Sequence, residues 1–189
     1  IMSGALSLGR PIKIAYLGPP YTFTHLASLK KFGQSVEYEA LNNITDVFTE
    51  VENGRCNYGV VPIENSIEGA VNHTFDMLID SNLKIASEIY LEISHNLLSR
   101  ENTLKKIKKI YSNPQVFGQC RLWLETNIPG AELVEVSSTT RAAEIASREK
   151  NSAAIASKAA ALHYKLNVLE GGIEDSPHNV TRFLVIGKE

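Results

Sequence analysis

The sequence predicts an α/β protein of two lobes around a cleft, and three observations carry that reading. Short apolar runs repeatedly end in a polar junction followed by a helix start, as in Asn57 to Val71, NYGVVPIENSIEGAV. One long segment, Leu83 to Ile93, alternates strictly and exceeds ordinary strand length, so it reads as a crossing from one lobe into the other. The polar residues gather at the strand-to-helix junctions, the rim at which open α/β sheets bind ligands.

In chain order, Ile12 to Leu17 forms a first strand, and Gly18-Pro19-Pro20 breaks it before Thr22 or Thr24 opens a helix that runs towards Gly33. Val36 to Leu41 is a second strand. Asn43 caps a helix whose Ile44, Val47, Phe48 and Val51 make one apolar stripe, ending at Gly54. Gly59, Val60, Val61 and Ile63 read as a strand buried on both faces and limited by Pro62. Glu64, Asn65 and Ser66 fall at its carboxyl end. The spacing of Ile67, Val71, Phe75 and Leu78 then predicts an immediate helix, capped by Asn65 with Glu68 reaching back as a capping box.

Beyond the crossing strand, Thr103 to Lys109 reads as a short helix whose KKIKK face is solvated, and Ile110 to Ser112 as a strand. Pro114 suits a helix's first turn, with Val116, Cys120 and Trp123 on the buried side. Leu133 to Val136 is a strand, Ser137 to Thr140 precede an alanine-rich helix, and Glu144 and Arg148 pair on its outer face. Ala153 to Ala156, Ser157 and a further helix repeat the step. Gly171-Gly172 ends the second lobe, and Val180 to Ile186 returns as the last strand. Lobe one therefore comprises residues 11–90 plus 176–189, and lobe two residues 91–175. Residues 1–10, IMSGALSLGR, show neither periodicity nor caps and are expected outside the fold, as an expression remnant or a disordered N-terminus.

Composition narrows the function. A chain of 189 residues with 43% hydrophobic residues can bury a real core, and a net charge of −2 argues against nucleic-acid and membrane-surface roles. The absence of a bilayer-length apolar run or a secretory pattern points to a cytoplasmic protein. Cys56 and Cys120 share no metal or redox spacing, and the five histidines share none either. Neither a dinucleotide fingerprint nor a phosphate loop is present, so no metal and no cofactor is expected. What remains is hydroxyls and amides at helix starts: Thr22, Thr24, Ser66, Gln115, Ser138, Thr139, Thr140 and Ser157. Such termini offer unpaired N–H groups and a positive dipole end, a cradle for a small carboxylate-bearing molecule. Read locally, most of these residues are also plain caps.

Ala15-Tyr16-Leu17-Gly18-Pro19 with Thr22-Phe23-Thr24, GVVPIENSIEGAV at 59–71, NPQVFGQC at 113–120, Ser138-Thr139 before an Ala-Ala helix, AAIAS at 153–157 and Asn179-Val180-Thr181-Arg182-Phe183 together resemble the catalytic domain of prephenate dehydratase. The resemblance runs in order from residue 12 to 187. It implies a fold like the type II periplasmic binding proteins and a lyase of phenylalanine biosynthesis that needs no cofactor. That enzyme removes carboxylate and hydroxide from prephenate, a dicarboxylate, giving phenylpyruvate, carbon dioxide and water. The family's catalytic threonine falls on Thr181, read as a positioned donor to the departing oxygen, one that relays a proton from its neighbour Glu64. Arg182 and the Ser138–Thr140 and Thr22–Thr24 helix starts are assigned the carboxylates. Asn65, Ser66 and Gln115 are assigned the ring substituents, and Phe183 joins the substrate-binding set while packing the strand.

Two residues depart from the family pattern: Tyr21 stands where glycine is usual and Asn113 where histidine is common. The family commonly continues into a regulatory ACT domain, and this chain stops shortly after Phe183, so a catalytic domain without that unit is expected. Arogenate dehydratase, on the same scaffold, and a non-catalytic carboxylate-binding module are the alternative readings. A homo-oligomer stays open.

Overall fold

The computed structural model describes residues 9–189, so the expectation for residues 1–10 lies, for 1–8, outside the described residues. Two sheets are formed. The first contains β1 (Lys13–Leu17), β2 (Glu37–Leu41), β3 (Tyr58–Asn65), the short β4 (Gly69–Ala70), β5 (Lys84–Glu92) and β11 (Val180–Gly187), ordered β2-β1-β3-β11-β5 with β4 on β3. The second is ordered β10-β6-β9-β7-β8, from β6 (Asn96–Ser99), β7 (Lys109–Ser112), β8 (Glu132–Glu135), β9 (Ser152–Ala156) and β10 (Asn167–Glu170). The strands β1, β2 and β3 are parallel, whereas β11 runs antiparallel between β3 and β5.

Helices cover both faces of each sheet, which is why the central strands are apolar throughout. On the first sheet, α1 (Phe23–Phe32) lies over Ile14, Tyr16, Val60, Phe183 and Val185, and α2 (Ile44–Glu52) lies over Ala15, Val61, Leu184 and Ile186. Gly59 permits the second contact, because a Cβ there would stand 2.7 Å from Val47 and 3.0 Å from Ile186. On the second sheet, α4 (Pro114–Gln119) and α5 (Arg121–Asn127) cover one side, and α6 (Thr139–Ala146) and α7 (Lys158–Tyr164) the other. The helix starts read at Thr22, Asn43 and Ser138 are capped as expected, and Asn113 and Ser157 act likewise. Thr22, Asn43, Asn113, Ser138 and Ser157 each accept a backbone N–H of the first turn of α1, α2, α4, α6 and α7.

The stretch after Ser66 is not the predicted helix. Asn65 Oδ1 does accept the backbone N–H groups of Ile67 (2.9 Å) and Glu68 (3.1 Å), but Gly69 takes a φ of +85° and turns the chain back as β4, which pairs with the end of β3. Helix α3 (Asn72–Asp80) starts later. Its buried face centres on Thr74, whose hydroxyl donates to the Pro62 carbonyl at 2.7 Å, while Ile67 and Phe75 stay exposed. Pro62 does not end β3 either. It stands past the last β1 rung, Tyr16 to Val60, and the β3–β11 register shifts at this point, between Arg182 and Phe183. In place of the short helix there is a single 3₁₀ turn, Leu104–Lys106, and the rest of KKIKK runs through buried Ile107 into β7.

The chain passes between the sheets twice, from Glu92 to Asn96 and from Glu170 to Val180. These passages are tied to each other: Ile93 N–H donates to the Asn179 carbonyl at 2.8 Å and Ile173 N–H to the His95 carbonyl at 2.9 Å.

Candidate active site

Where the strand ends of the two sheets face each other lies a cavity of about 650 Å³, a size suited to a small organic acid. Leu17 and Asn65 reach it from the ends of β1 and β3, and Thr181 from the start of antiparallel β11. Three helices begin at its wall: α1 with Thr22 and Thr24, α4 with Asn113 and Gln115, and α6 with Ser138 and Thr139. Each cap satisfies one N–H of its first turn and leaves others turned outward with the positive end of the helix dipole. Among the described residues lining the cavity there is no Lys or Arg, and Glu68 and His95 are its titratable side chains. An anion would therefore be held by dipoles and hydroxyls.

One hydrogen-bond chain crosses this wall. Asn65 Nδ2 donates to Thr181 Oγ1 at 2.8 Å and to Asn179 Oδ1 at 2.7 Å. Asn179 Nδ2 donates to Gln119 Oε1 at 2.9 Å, and the His95 ring Nε2 stands 2.6 Å from the same oxygen. Gln119 Nε2 donates to Glu68 Oε1 at 2.7 Å. Because Asn65 Oδ1 is occupied by two backbone donors, its amide group must face Thr181 as a donor. Thr181 Oγ1 thus accepts from Asn65, and its own hydrogen finds no acceptor among the described residues. That hydrogen is free for a ligand. Burial holds the His95 imidazole below the ordinary histidine range, partly opposed by its bond to Gln119 and by the Glu174 and Glu68 charges, and its Nδ1 is buried without a partner.

Thr181, Asn65, Thr22, Thr24, Gln115, Ser138 and Thr139 come together at the cavity. Other expected residues do not. Arg182 follows Thr181 on a strand and so points to the opposite face, where its guanidinium pairs with Glu64 at 3.2 Å and with Glu88. Glu64 shares that outer face and is half exposed, so the water-poor setting expected of a proton relay is not there. Phe183 is 1% exposed within the core under α1 and does not line this cavity. Ser66 is spent on the backbone, donating to the His178 carbonyl and accepting from Val180 N–H. Thr140 lies behind the wall, its hydroxyl donating to the Pro20 carbonyl at 3.1 Å. Sequence reasoning gave Glu68 a capping role, whereas its carboxylate takes Gln119, and it did not single out His95 or Gln119. Gln119 and Asn179 lay within the quoted motifs, whereas His95 stands in the passage between sheets and has no local signature.

Tyr21 adopts φ +67°, the left-handed region that glycine enters without cost. Its ring stacks on His163 of α7 at 3.9 Å and its N–H donates to His25 Nδ1 at 2.9 Å, contacts that hold the unusual backbone. Glu39, Glu50 and Cys56 form the group close enough to share a metal ion among the described residues. They lie away from the cavity, Lys13 and Arg55 already pair the carboxylates, and burial pushes the Cys56 thiol up to about 11.

Set beside known proteins, residues 14–189 match the family model described as prephenate dehydratase. The bifunctional chorismate mutase/prephenate dehydratase of Aquifex aeolicus is 50% identical over 188 residues, covering 100% of this chain and 52% of that one. The chain thus spans about half the length of such relatives. The crystal structure of prephenate dehydratase from Arthrobacter aurescens in complex with L-Phe matches with a TM-score of 0.87 at 32% identity, over 94% of this chain and 61% of that one. A periplasmic substrate-binding protein from Coxiella burnetii matches at 12% identity with a TM-score of 0.50, over 94% of this chain and 84% of that one, which shows a shared two-lobed fold alone.

Proposed function

Since the chain belongs to the prephenate dehydratase family, we propose that its cavity binds prephenate and converts it to phenylpyruvate, carbon dioxide and water. The observation that carries this reading is the Thr181 hydroxyl, turned into the cavity with its oxygen already accepting from Asn65 and its hydrogen unused. In the reaction the bond between ring and carboxylate breaks, and its electron pair moves through the ring diene to complete the aromatic system. As that pair arrives the C–O bond opposite breaks, and the hydroxyl leaves with the bond's electrons as hydroxide, which takes a proton from solvent to become water. Aromatisation supplies the driving force, so the protein has to orient the dianion and stabilise charge growing on the leaving oxygen.

Thr181 donates its free hydrogen to that oxygen. A threonine hydroxyl is too weak an acid to protonate a neutral group outright, and its contribution is a hydrogen bond that strengthens as negative charge develops. The α1 and α6 starts, with Thr22, Thr24, Ser138 and Thr139, hold the carboxylates, and Asn65 and Gln115 orient the ring. Arg182 takes no part in binding and serves the ion-paired outer face. A division into lobes near 11–90 plus 176–189 and 91–175 is supported by the membership of the two sheets, with β5 carrying the first lobe on to Glu92. No helix among the described residues is long and apolar enough to cross a membrane, and two unpaired cysteines fit a reducing, cytoplasmic setting.

The test is direct. Prephenate and arogenate are supplied separately, and phenylpyruvate or phenylalanine is followed by ultraviolet absorbance. Turnover of prephenate is expected, arogenate turnover alone would move the assignment to arogenate dehydratase, and turnover of neither would leave a binding module.

A further inference from the structure

Glu68 stands in the tight turn between β3 and β4, exposed, and is the carboxylate in a cavity built for an anion. Such a placement works against binding, so its use lies elsewhere. A carboxylate can only accept, and Glu68 Oε1 takes the Gln119 amide group from the other sheet's side of the cleft at 2.7 Å. That fixes Gln119 Oε1 as the acceptor for two donors, Asn179 Nδ2 and the His95 ring Nε2, so His95 carries its proton on Nε2 and leaves Nδ1 bare. Asn179 Oδ1 must then receive Asn65 Nδ2, whose second hydrogen goes to Thr181. The same polarity is dictated from the far end, where the Ile67 and Glu68 N–H groups pin Asn65 Oδ1. Every amide in the chain therefore has one permitted orientation.

We infer that Glu68 is a positioning residue: it tethers Gln119 across the cleft and thereby holds Asn179, which together with the backbone bonds at Asn65 Oδ1 keeps the Asn65 amide in place on Thr181 Oγ1. Without it the Gln119 amide group has no partner on the first lobe and the side chain turns away. Asn179 and His95 then lose their common acceptor. This rests on the reading of Thr181 as the donor to the leaving oxygen.

The signs of the kinetic effects separate this role from plain structural support. Glu68→Ala should lower kcat by roughly tenfold, a barrier increase of about 1.4 kcal/mol. KM should stay level or fall, because a negative charge has left an anion site. Glu68→Gln keeps an oxygen for the Gln119 amide and should hold kcat within about threefold of the parent. Gln119→Ala should lower kcat, and Glu68→Ala should add nothing to it in the double variant, since both act through one contact. Thermal unfolding of each variant is measured alongside, and no loss is expected from so exposed a side chain. An unchanged kcat, a raised KM in Glu68→Ala, or additive losses in the double variant would overturn the assignment. If the parent turns over neither acid, the functional reading fails first, and the tether is then judged by the ¹⁵N signals of the His95 ring. Protonation on Nε2 is expected in the parent and in Glu68→Gln, and a mixture in Glu68→Ala; identical spectra in all three would refute the tether.

Discussion

Two neighbouring rungs of the first sheet, Thr181 opposite Asn65 and Arg182 opposite Glu64, hold four polar residues in a row of motif yet serve different ends. The first rung faces the cavity and is neutral, with hydrogen bonds whose directions are fixed. The second faces outward and is ionic, with Arg182 shared between Glu64 and Glu88. A one-residue step on a strand reverses the side chain, so adjacency in a motif does not mean adjacency in a site. The difference also separates two kinds of interaction: the outer ion pairs are part-exposed and screened by water, and the inner amide and hydroxyl line the cavity.

The comparison breaks most directly at Thr181. Thr181→Ala should lower kcat by about 10²–10³-fold, the range for loss of one hydrogen-bond donor to developing charge, with thermal stability close to the parent's. Thr181→Ser keeps the hydroxyl and should retain most turnover. Next comes Phe183, on the same face of β11 but under α1. Phe183→Ala should remove about 3–5 kcal/mol of stability in denaturant unfolding, through a cavity in the core, and should affect turnover only through the fold.

A smaller effect belongs to His95. Burial depresses its folded pKa below the ordinary 6.5, so on acidification the unfolded chain takes up a proton before the folded one does. Stability is therefore full above 6.5 and is lost as pH falls from there through the folded value, by at most about 1.4 kcal/mol per pH unit for one group. Melting temperatures across that window should fall less steeply in His95→Gln than in the parent, with a residual slope from His25, which burial shifts the same way. The smallest effect is expected at Arg182. Arg182→Met should leave kcat within about threefold, and a larger loss would return the guanidinium to the site.

Much of this was legible in the residues. The caps at Thr22, Asn43, Asn113, Ser138 and Ser157 lie where hydroxyls and amides precede apolar periodicity, and each is local chemistry. The alternation of the last strand was legible too, and applied to Thr181, Arg182 and Phe183 it would have sent Arg182 outward. The helix expected at Ile67 failed for a different reason. Asn65 makes the bonds of a cap, but Gly69 reverses the chain, and the residue buried by α3 is Thr74, which hydrophobic spacing passes over. His95 and Gln119 escaped because their contact spans 24 positions between elements of different kinds, and only folding brings them to one oxygen. Tyr21 marks a case where departure from the family's glycine was visible but its accommodation was not: a stack on His163 holds a backbone that side chains avoid.

Among the described residues no lysine or arginine lines the cavity, which bears on how the proposed turnover ends. Grip exerted by peptide dipoles scales with the charge of the guest, and in the proposed reaction expelling carbon dioxide turns a doubly charged acid into a singly charged one. One of the two handholds vanishes with the gas. An arginine clamp would go on holding the remaining carboxylate, whereas here the chemistry itself loosens its product.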